Sequence, residues 1–235
     1  MKKLVLLLLV LTASCKNNNE SEADDSVSTS KREKFSEVHI ENILEDDSLS
    51  IRAIQVIGEN LAFAANKGTY GLYNATTKTW KTNTQAYDSI YPEFRAIAST
   101  SNDFFMLGVG SPALLYKTGN NGQLELVYKE DDEKAFYDSM TFWNDTEGIA
   151  MGDPTSGCIS IIITRDAGKS WKKLDCEQLP ETAEGEAAFA ASNSNIAIYK
   201  DETWILTGGM KSRILYSPDK GKNWKIFDTP LVQGT

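Results

Sequence analysis

Arg52 and Arg95 each open an Arg-Ala-Ile triplet, and they stand 43 residues apart. Two guanidinium groups repeated at that interval suit a carboxylate or an acidic peptide, held by paired, bidentate hydrogen bonds. The period of the repeat, which is not constant, places Tyr137 and then Phe189 at the start of the equivalent strand in later repeats. Asp138, Asp153 and Glu186 are read as their neighbours. The candidate ligand-binding set is therefore Arg52, Arg95, Tyr137, Asp138, Asp153 and Glu186. The competing use of the two arginines is structural, as partners of carboxylates between adjacent repeats.

No catalytic residues are assigned. With His39, in the opening strand, as the one histidine, a His-based zinc site or a Ser-His triad is not expected. No Gly-x-Gly-x-x-Gly, CxxC or haem-ligand pattern occurs, so no cofactor and no metal are expected. The acidic run Glu130-Asp131-Asp132-Glu133 reads as a solvated loop with at most weak affinity for cations.

The elements that must position these residues are set by a repeated turn. Thr164-Arg165-Asp166-Ala167-Gly168-Lys169-Ser170-Trp171 returns as Ser217-Pro218-Asp219-Lys220-Gly221-Lys222-Asn223-Trp224. Both fit Ser/Thr-x-Asp-x-Gly-x-x-Trp. The Asp accepts turn amides, the Gly supplies a positive φ, and the Trp enters the returning strand as a large apolar surface. Thr164, Asp166, Gly168, Trp171, Ser217, Asp219, Gly221 and Trp224 are thus structural. Weaker echoes run from Tyr73 to Trp80 and from Thr118 through Gly122, with Glu125 at the Trp position. Aligned on that last position, the repeats fall at 80, 125, 171 and 224. A period in the forties to fifties fits four short strands and their turns, one propeller blade. The expected inner strands begin near Ile51, Phe94, Phe136 and Ala187, and Val38–Leu44 reads as a closing strand. The fold expected is an all-β propeller of four-stranded antiparallel blades, about four of them. That number suggests an incomplete ring and a chain truncated at its C-terminus.

The turn resembles the Asp-box, or BNR repeat, of sialidase-like β-propellers. Gly152-Asp153-Pro154 ahead of the box, with Arg-Ala-Ile at 52–54 and 95–97, is similar to propellers of the photosystem II assembly and stability factor type, including lipoproteins of the Bacteroidetes type. The likeness covers about residues 36–235. It implies a fold more than a function, because Asp-boxes occur in glycosidases, binding modules and assembly factors. Assembly factors of this type hold a client peptide on an Arg-rich patch, which Arg52 and Arg95 match at two positions. A sialidase needs three convergent arginines, a Tyr–Glu pair and an acid. Arg165 and Arg213 are expected to lie away from such a site, and no Arg-Ile-Pro start occurs.

The first 14 residues read as a lipoprotein signal. Lys2 and Lys3 precede the apolar run Leu4–Leu11, too short to span a bilayer. Leu11-Thr12-Ala13-Ser14-Cys15 resembles a lipobox, which makes Cys15 the lipid-bearing first residue and a membrane anchor. Residues 15–34 read as a polar tether, and 35–235 as the propeller. The whole chain has 24 basic and 33 acidic residues, for a net charge of −9. Removing Lys2 and Lys3 leaves 22 basic groups and −11, which disfavours a nucleic-acid partner. Cys158 and Cys176 flank the first box symmetrically about residue 167, so a cross-strand disulfide is expected in an oxidising compartment.

These features together point to a lipid-anchored protein of the bacterial cell envelope, on the outer membrane. Its expected role is a non-catalytic binding or assembly platform for a protein or peptide client, with a glycan also considered. A sialidase-like glycan hydrolase and a redox enzyme are the alternatives.

Overall fold

The computed structural model describes residues 36–119, 123–190 and 193–234. The signal stretch, Cys15, the tether and residues 120–122 of the second turn lie outside the described residues. The chain divides into a unit ending at Glu45 and a second from Asp46. In the first unit, Val38–Leu44 is not a strand, contrary to the expected closing element. Its apolar residues Val38 and Ile40 stand 78% and 83% exposed. Alternation alone does not make a strand where no neighbour takes its backbone hydrogen bonds.

The second unit is an all-β propeller built from four antiparallel four-stranded sheets. The first blade contains β1 (Ile51–Ile57), β2 (Asn60–Ala65), β3 (Thr69–Asn74) and β4 (Thr79–Thr84). The second contains β5 (Phe94–Ser99), β6 (Phe104–Gly108), β7 (Ala113–Thr118) and β8 (Leu124–Glu130). The third contains β9 (Tyr137–Phe142), β10 (Gly148–Gly152), β11 (Ser160–Thr164) and β12 (Lys172–Lys173). A short pair, β13 (Glu186–Ala187) and β16 (Gly208–Gly209), flanks the fourth blade. That blade is β14 (Ile196–Tyr199), β15 (Glu202–Leu206), β17 (Arg213–Ser217) and β18 (Lys225–Asp228). The innermost strands neighbour one another in the order β1, β5, β9, β14.

One inner strand departs from expectation. The fourth blade opens at Ile196, not near Ala187, so Phe189 lies in a connecting segment and is not equivalent to the arginines. An apolar Ala-Ala-Phe-Ala stretch imitates a strand, but Ile196–Tyr199 has the β-branched residues and pairs with β15.

The core is distributed between blades. Ala53 and Ala64 of the first blade meet Phe94, Ile97 and Met106 of the second. Phe105, Leu107 and Leu115 of the second meet Met140, Ile162 and Trp171 of the third. Ile149, Met151 and Ile161 of the third meet Ile196, Ile205 and Leu215 of the fourth. Middle strands such as β11 (Ser-Ile-Ile-Ile-Thr) are buried along their whole length, which explains their unbroken apolar runs.

The two boxes close their hairpins by one set of bonds. The Thr164 hydroxyl donates to Asp166 at 2.8 Å and accepts from the Gly168 amide at 2.9 Å. Asp166 also accepts from the backbone and hydroxyl of Ser170 at 3.0 and 2.7 Å. In the second box Ser217, Asp219, Gly221 and Asn223 repeat the arrangement. Gly168 has φ +72°, and a Cβ there would lie 2.2 Å from Phe105, so glycine is required by both backbone and packing. Trp171 lands 5.7 Å from the Phe142 ring and 6.4 Å from Phe105. In the second blade, Thr118 pairs with Leu124, so Leu124 and not Glu125 holds the place of the Trp. A register shift between Leu115 and Tyr116 shortens that turn by one residue.

At the box end the blades are stitched by charge. Glu147, in the β9–β10 turn, accepts from Arg165 of the first box at 2.8 Å and from Lys220 of the second at 2.5 Å. Arg165 stacks on Trp143 at 5.1 Å. The hydrogen bonds from Lys220 and Asn144, then the nearby positive charges, hold the Glu147 carboxyl down at about 2 despite an opposing effect of burial. A depressed carboxyl adds stability above its unfolded value, and that stability is lost as pH falls through the folded value. Glu147→Gln should therefore cost about 1–2 kcal/mol near neutral pH. The difference from wild type should shrink between about 4.5 and about 2, as measured by chemical denaturation across that range.

Candidate functional site

The end of the propeller opposite the boxes, where the innermost strands begin, carries the candidate site. Three of those strands contain a β-bulge near their first residue. Ile51 pairs with Ala65 and Ala53 with Ala64, leaving Arg52 as the extra residue. Phe94 pairs with Gly108 and Ala96 with Leu107, leaving Arg95. Tyr137 pairs with Gly152 and Ser139 with Met151, leaving Asp138. The equivalent positions are thus 52, 95 and 138, at two equal steps of 43. Asp138, not Tyr137, is the counterpart of the arginines. A bulge re-aims its side chain, and bulges concentrate near functional sites.

The three bulge residues have different surroundings. Arg52 is exposed and makes no hydrogen bond or ion pair among the described residues. Arg95 donates to the Ala190 carbonyl and sits over the Phe136 ring at 5.2 Å. Its Nε is buried without a partner. Neither arginine pairs with a carboxylate among the described residues. Asp138 is fully buried, and neither of its carboxyl oxygens has a hydrogen-bond partner among the described residues. Burial, reinforced by the charge of Asp153 and only partly opposed by Arg95, pushes its carboxyl up to about 7. A carboxyl so placed is a donor as well as an acceptor when protonated.

Asp153 accepts from the Ala188 amide at 2.8 Å, and burial raises its carboxyl above the ordinary range. The segment that reaches Ala188 and Ala190 also ties down at Asn193. Asn193 donates from its side chain to the Ile97 carbonyl at 3.2 Å and accepts from the Ser139 hydroxyl at 2.8 Å. The Asn193 Oδ1 is itself buried and unpartnered. Arg95 Nε, Asp138 and Asn193 Oδ1 therefore supply unused hydrogen-bonding capacity among the inner strands of the second and third blades.

Two members of the expected set are occupied elsewhere. Tyr137 is buried and donates to Glu130 at 2.6 Å. Burial first, and the neighbouring Tyr128 and Glu130 next, raise its hydroxyl strongly. Glu130 also accepts from Tyr128 at 2.8 Å and from Lys173. It is accordingly a half-buried anchor at the end of β8 and not part of a solvated loop. Burial raises its carboxyl, but the donors Lys173, Tyr137 and Tyr128 outweigh that and lower it. Glu186 is buried in a clamp with Arg213, Thr207 and the Ala183 amide. Arg213 opens β17 at the same end as the bulges, contrary to the expectation that it lies away, yet its guanidinium is committed to Glu186 and the Glu181 carbonyl. Arg165 is at the box end. Cys158 and Cys176 are joined, with Cα atoms 5.5 Å apart, and pin the segment after β12.

No family model matches the chain, nor does any curated protein. Solved structures are similar to it in fold. The RRP9 WD40 repeats align with a TM-score of 0.54 and 12% identity, over 79% of this chain and 53% of that one. A Trypanosoma rangeli sialidase aligns at 0.51 and 12%, over 76% and 37%. YCF48 bound to D1 peptide aligns at 0.45 and 14%, over 77% and 67%. The chain thus spans about half of the WD40 chain and little more than a third of the sialidase. The first two likenesses show the propeller fold.

The raised Asp138 gives a direct test. The folded carboxyl binds a proton between its unfolded value near 3.8 and about 7. The native state holds more protons there, so its stability falls as pH rises through that interval. Asp138→Asn should remove this slope and raise stability above about 7, with little change near pH 4. Denaturant midpoints at the two ends of the interval measure both effects.

Proposed function

We propose that the protein is a non-catalytic platform whose bulge end holds an acidic or extended peptide of a protein client. One observation carries this reading: Arg52 and Arg95 stand on equivalent bulges, Arg95 close enough to Asp138 to feel its charge, and neither is held in an ion pair among the described residues. Arg95 already holds a backbone carbonyl, that of Ala190. A client carbonyl or carboxylate that takes its place gains a bidentate donor. Protonated Asp138 and Asn193 Oδ1 offer a donor and an acceptor suited to peptide groups. The same end has two arginines outside ion pairs among the described residues, because Arg213 is bound to Glu186. That number suits peptide capture better than the three-arginine grip of a sialidase.

We further propose that the platform is carried on the outer membrane of a bacterial envelope through lipid on Cys15. This rests on Leu4–Leu11 and the small residues ahead of the cysteine. Labelled palmitate should enter the wild-type chain and not Cys15→Ser, and the variant should leave the membrane fraction. Crosslinking in intact cells identifies the client. Recovery of that client should fall by about tenfold or more when Arg52 and Arg95 are both replaced by Ala, the loss of two charge-assisted contacts. Unchanged recovery from a folded double variant would remove the arginines from the site.

A further inference from the structure

The connection between the third and fourth blades is longer than the ring requires. It runs from residue 174 to 195, whereas residues 85–93 and 131–136 make the equivalent links between the earlier blades. Its first half is fixed. Cys176 is joined to Cys158, Thr182 bonds the Gly157 carbonyl through amide and hydroxyl, and Glu186 is clamped by Arg213. Asn193 ties the far end to Ile97 and Ser139. Between these ties lies Ala187-Ala188-Phe189-Ala190, a stretch whose side chains can form no hydrogen bond.

That stretch meets the bulge end through its backbone, as a separate peptide would. Ala187 pairs with Gly208 as part of a short antiparallel ladder. The Ala188 amide donates to Asp153 at 2.8 Å, and the Ala190 carbonyl accepts from Arg95. Between them the Phe189 ring lies on Gly208, where an added Cβ would come 2.5 Å from it. The Phe189 carbonyl accepts from Asn195 at 3.1 Å. Phe189 nevertheless stays 42% exposed, and Ala190 is exposed too. A segment held by a few surface hydrogen bonds opens at low cost. A ligand that offers the same groups can replace it, since main-chain bonds supply the affinity and a side-chain position the specificity.

We infer that residues 188–190 are an internal stand-in for the client: they occupy the Arg95 subsite, and an extended peptide of the form small–aromatic–small displaces them. The displacement presupposes that the bulge end is a peptide site, and it adds the class of peptide. A client N–H takes the place of Ala188 on Asp153, the next side chain is a ring on Gly208, and the following residue presents its carbonyl to Arg95. A C-terminal carboxylate at that last position outcompetes the Ala190 carbonyl, because it brings a full charge and a second acceptor to the guanidinium. The closed segment reduces the apparent affinity in proportion to the fraction of molecules in which it is open.

Acetyl-Ala-(4-fluorophenylalanyl)-Ala as the free acid is the probe, followed by fluorine NMR against the whole protein, with its C-terminal amide for comparison. The acid should bind more tightly than the amide by about fivefold or more, and Arg95→Ala should abolish that preference. Phe189→Ala loosens the segment and vacates the ring position, so it should tighten the acid by about threefold or more. Hydrogen exchange of the wild type decides without any variant. A ligand that displaces the segment speeds exchange of the Ala188 amide and leaves β14 unchanged, whereas one that docks over the segment slows it. Slower or unchanged exchange on binding overturns the displacement and leaves the bulge end a peptide site. Equal affinity of wild type and Phe189→Ala for the acid does the same. Absence of binding to both proteins at millimolar concentration overturns the peptide class, while the crosslinked client and the Arg52 and Arg95 double variant decide the platform reading separately.

Discussion

A four-stranded sheet with two apolar faces is unstable in water on its own, and this constraint organises the propeller. Each blade must lend one face to its predecessor and the other to its successor. The hydrophobic clusters follow that rule, each drawing on two consecutive blades. How an interface is filled can nevertheless vary. The third and fourth blades insert an indole from a box turn, and the second inserts Leu124 with a small alanine and serine behind it. The outer faces also differ: Ile54 and Val56 of the first blade remain 63% and 71% exposed. A fold that depends on face-to-face packing can be locally opened at one interface as long as its neighbours are full.

The box end supplies the compensation. Asp166 and Asp219 satisfy turn amides, and Glu147 joins two boxes through Arg165 and Lys220. Ser101 reaches Asp145 of the next blade through both amide and hydroxyl. These contacts hold consecutive hairpins in fixed relation without filling the space between blades. The other end has the opposite character. There the inner strands bulge, and Asp138 is left buried without donors. A group in that condition destabilises the native state, so its retention needs support from well-bonded parts of the same blades.

Much of this was legible in residue types. The Ser/Thr-x-Asp-x-Gly-x-x-Trp pattern specifies a bonded turn and the fate of its indole, because the Ser/Thr hydroxyl and the Asp carboxylate are satisfied within the turn itself. Strands with β-branched runs, such as Ser160–Thr164, were equally plain. What stayed hidden was register. Phe136–Phe142 reads as a strand, but nothing local says that Asp138 is squeezed out of the ladder and Tyr137 is not. The signal was the equal spacing of 52, 95 and 138, which only acquires meaning once the first two are known to be bulges. The same one-residue slip hid Leu124 behind Glu125. Glu130 looked solvated because its partners, Tyr137 and Lys173, come from the next blade. Residues 187–190 misled for a different reason: apolar composition cannot distinguish a strand from a connecting segment bonded to neighbouring strands.

The bulges connect register to chemistry. Without the extra residue, the side chain at each of these positions would alternate into an inter-blade face, and charge there would face a desolvation cost with no partner. The bulge turns one residue per strand out of that alternation while the rest of the strand keeps its packing. The two arginines are tolerated for this reason beside Ala53 and Ala96, whereas Asp138, beside Ser139, still bears that cost, being fully buried with no hydrogen-bond partner among the described residues. The position is conformationally equivalent in three blades and chemically different in the third, where a carboxylate replaces the cation. Its charge is set first by burial and then by Asp153 and Arg95 from adjacent elements. A single backbone irregularity, repeated by the fold, thus gives the propeller a place where charge can be varied from blade to blade without disturbing the interfaces that hold it together.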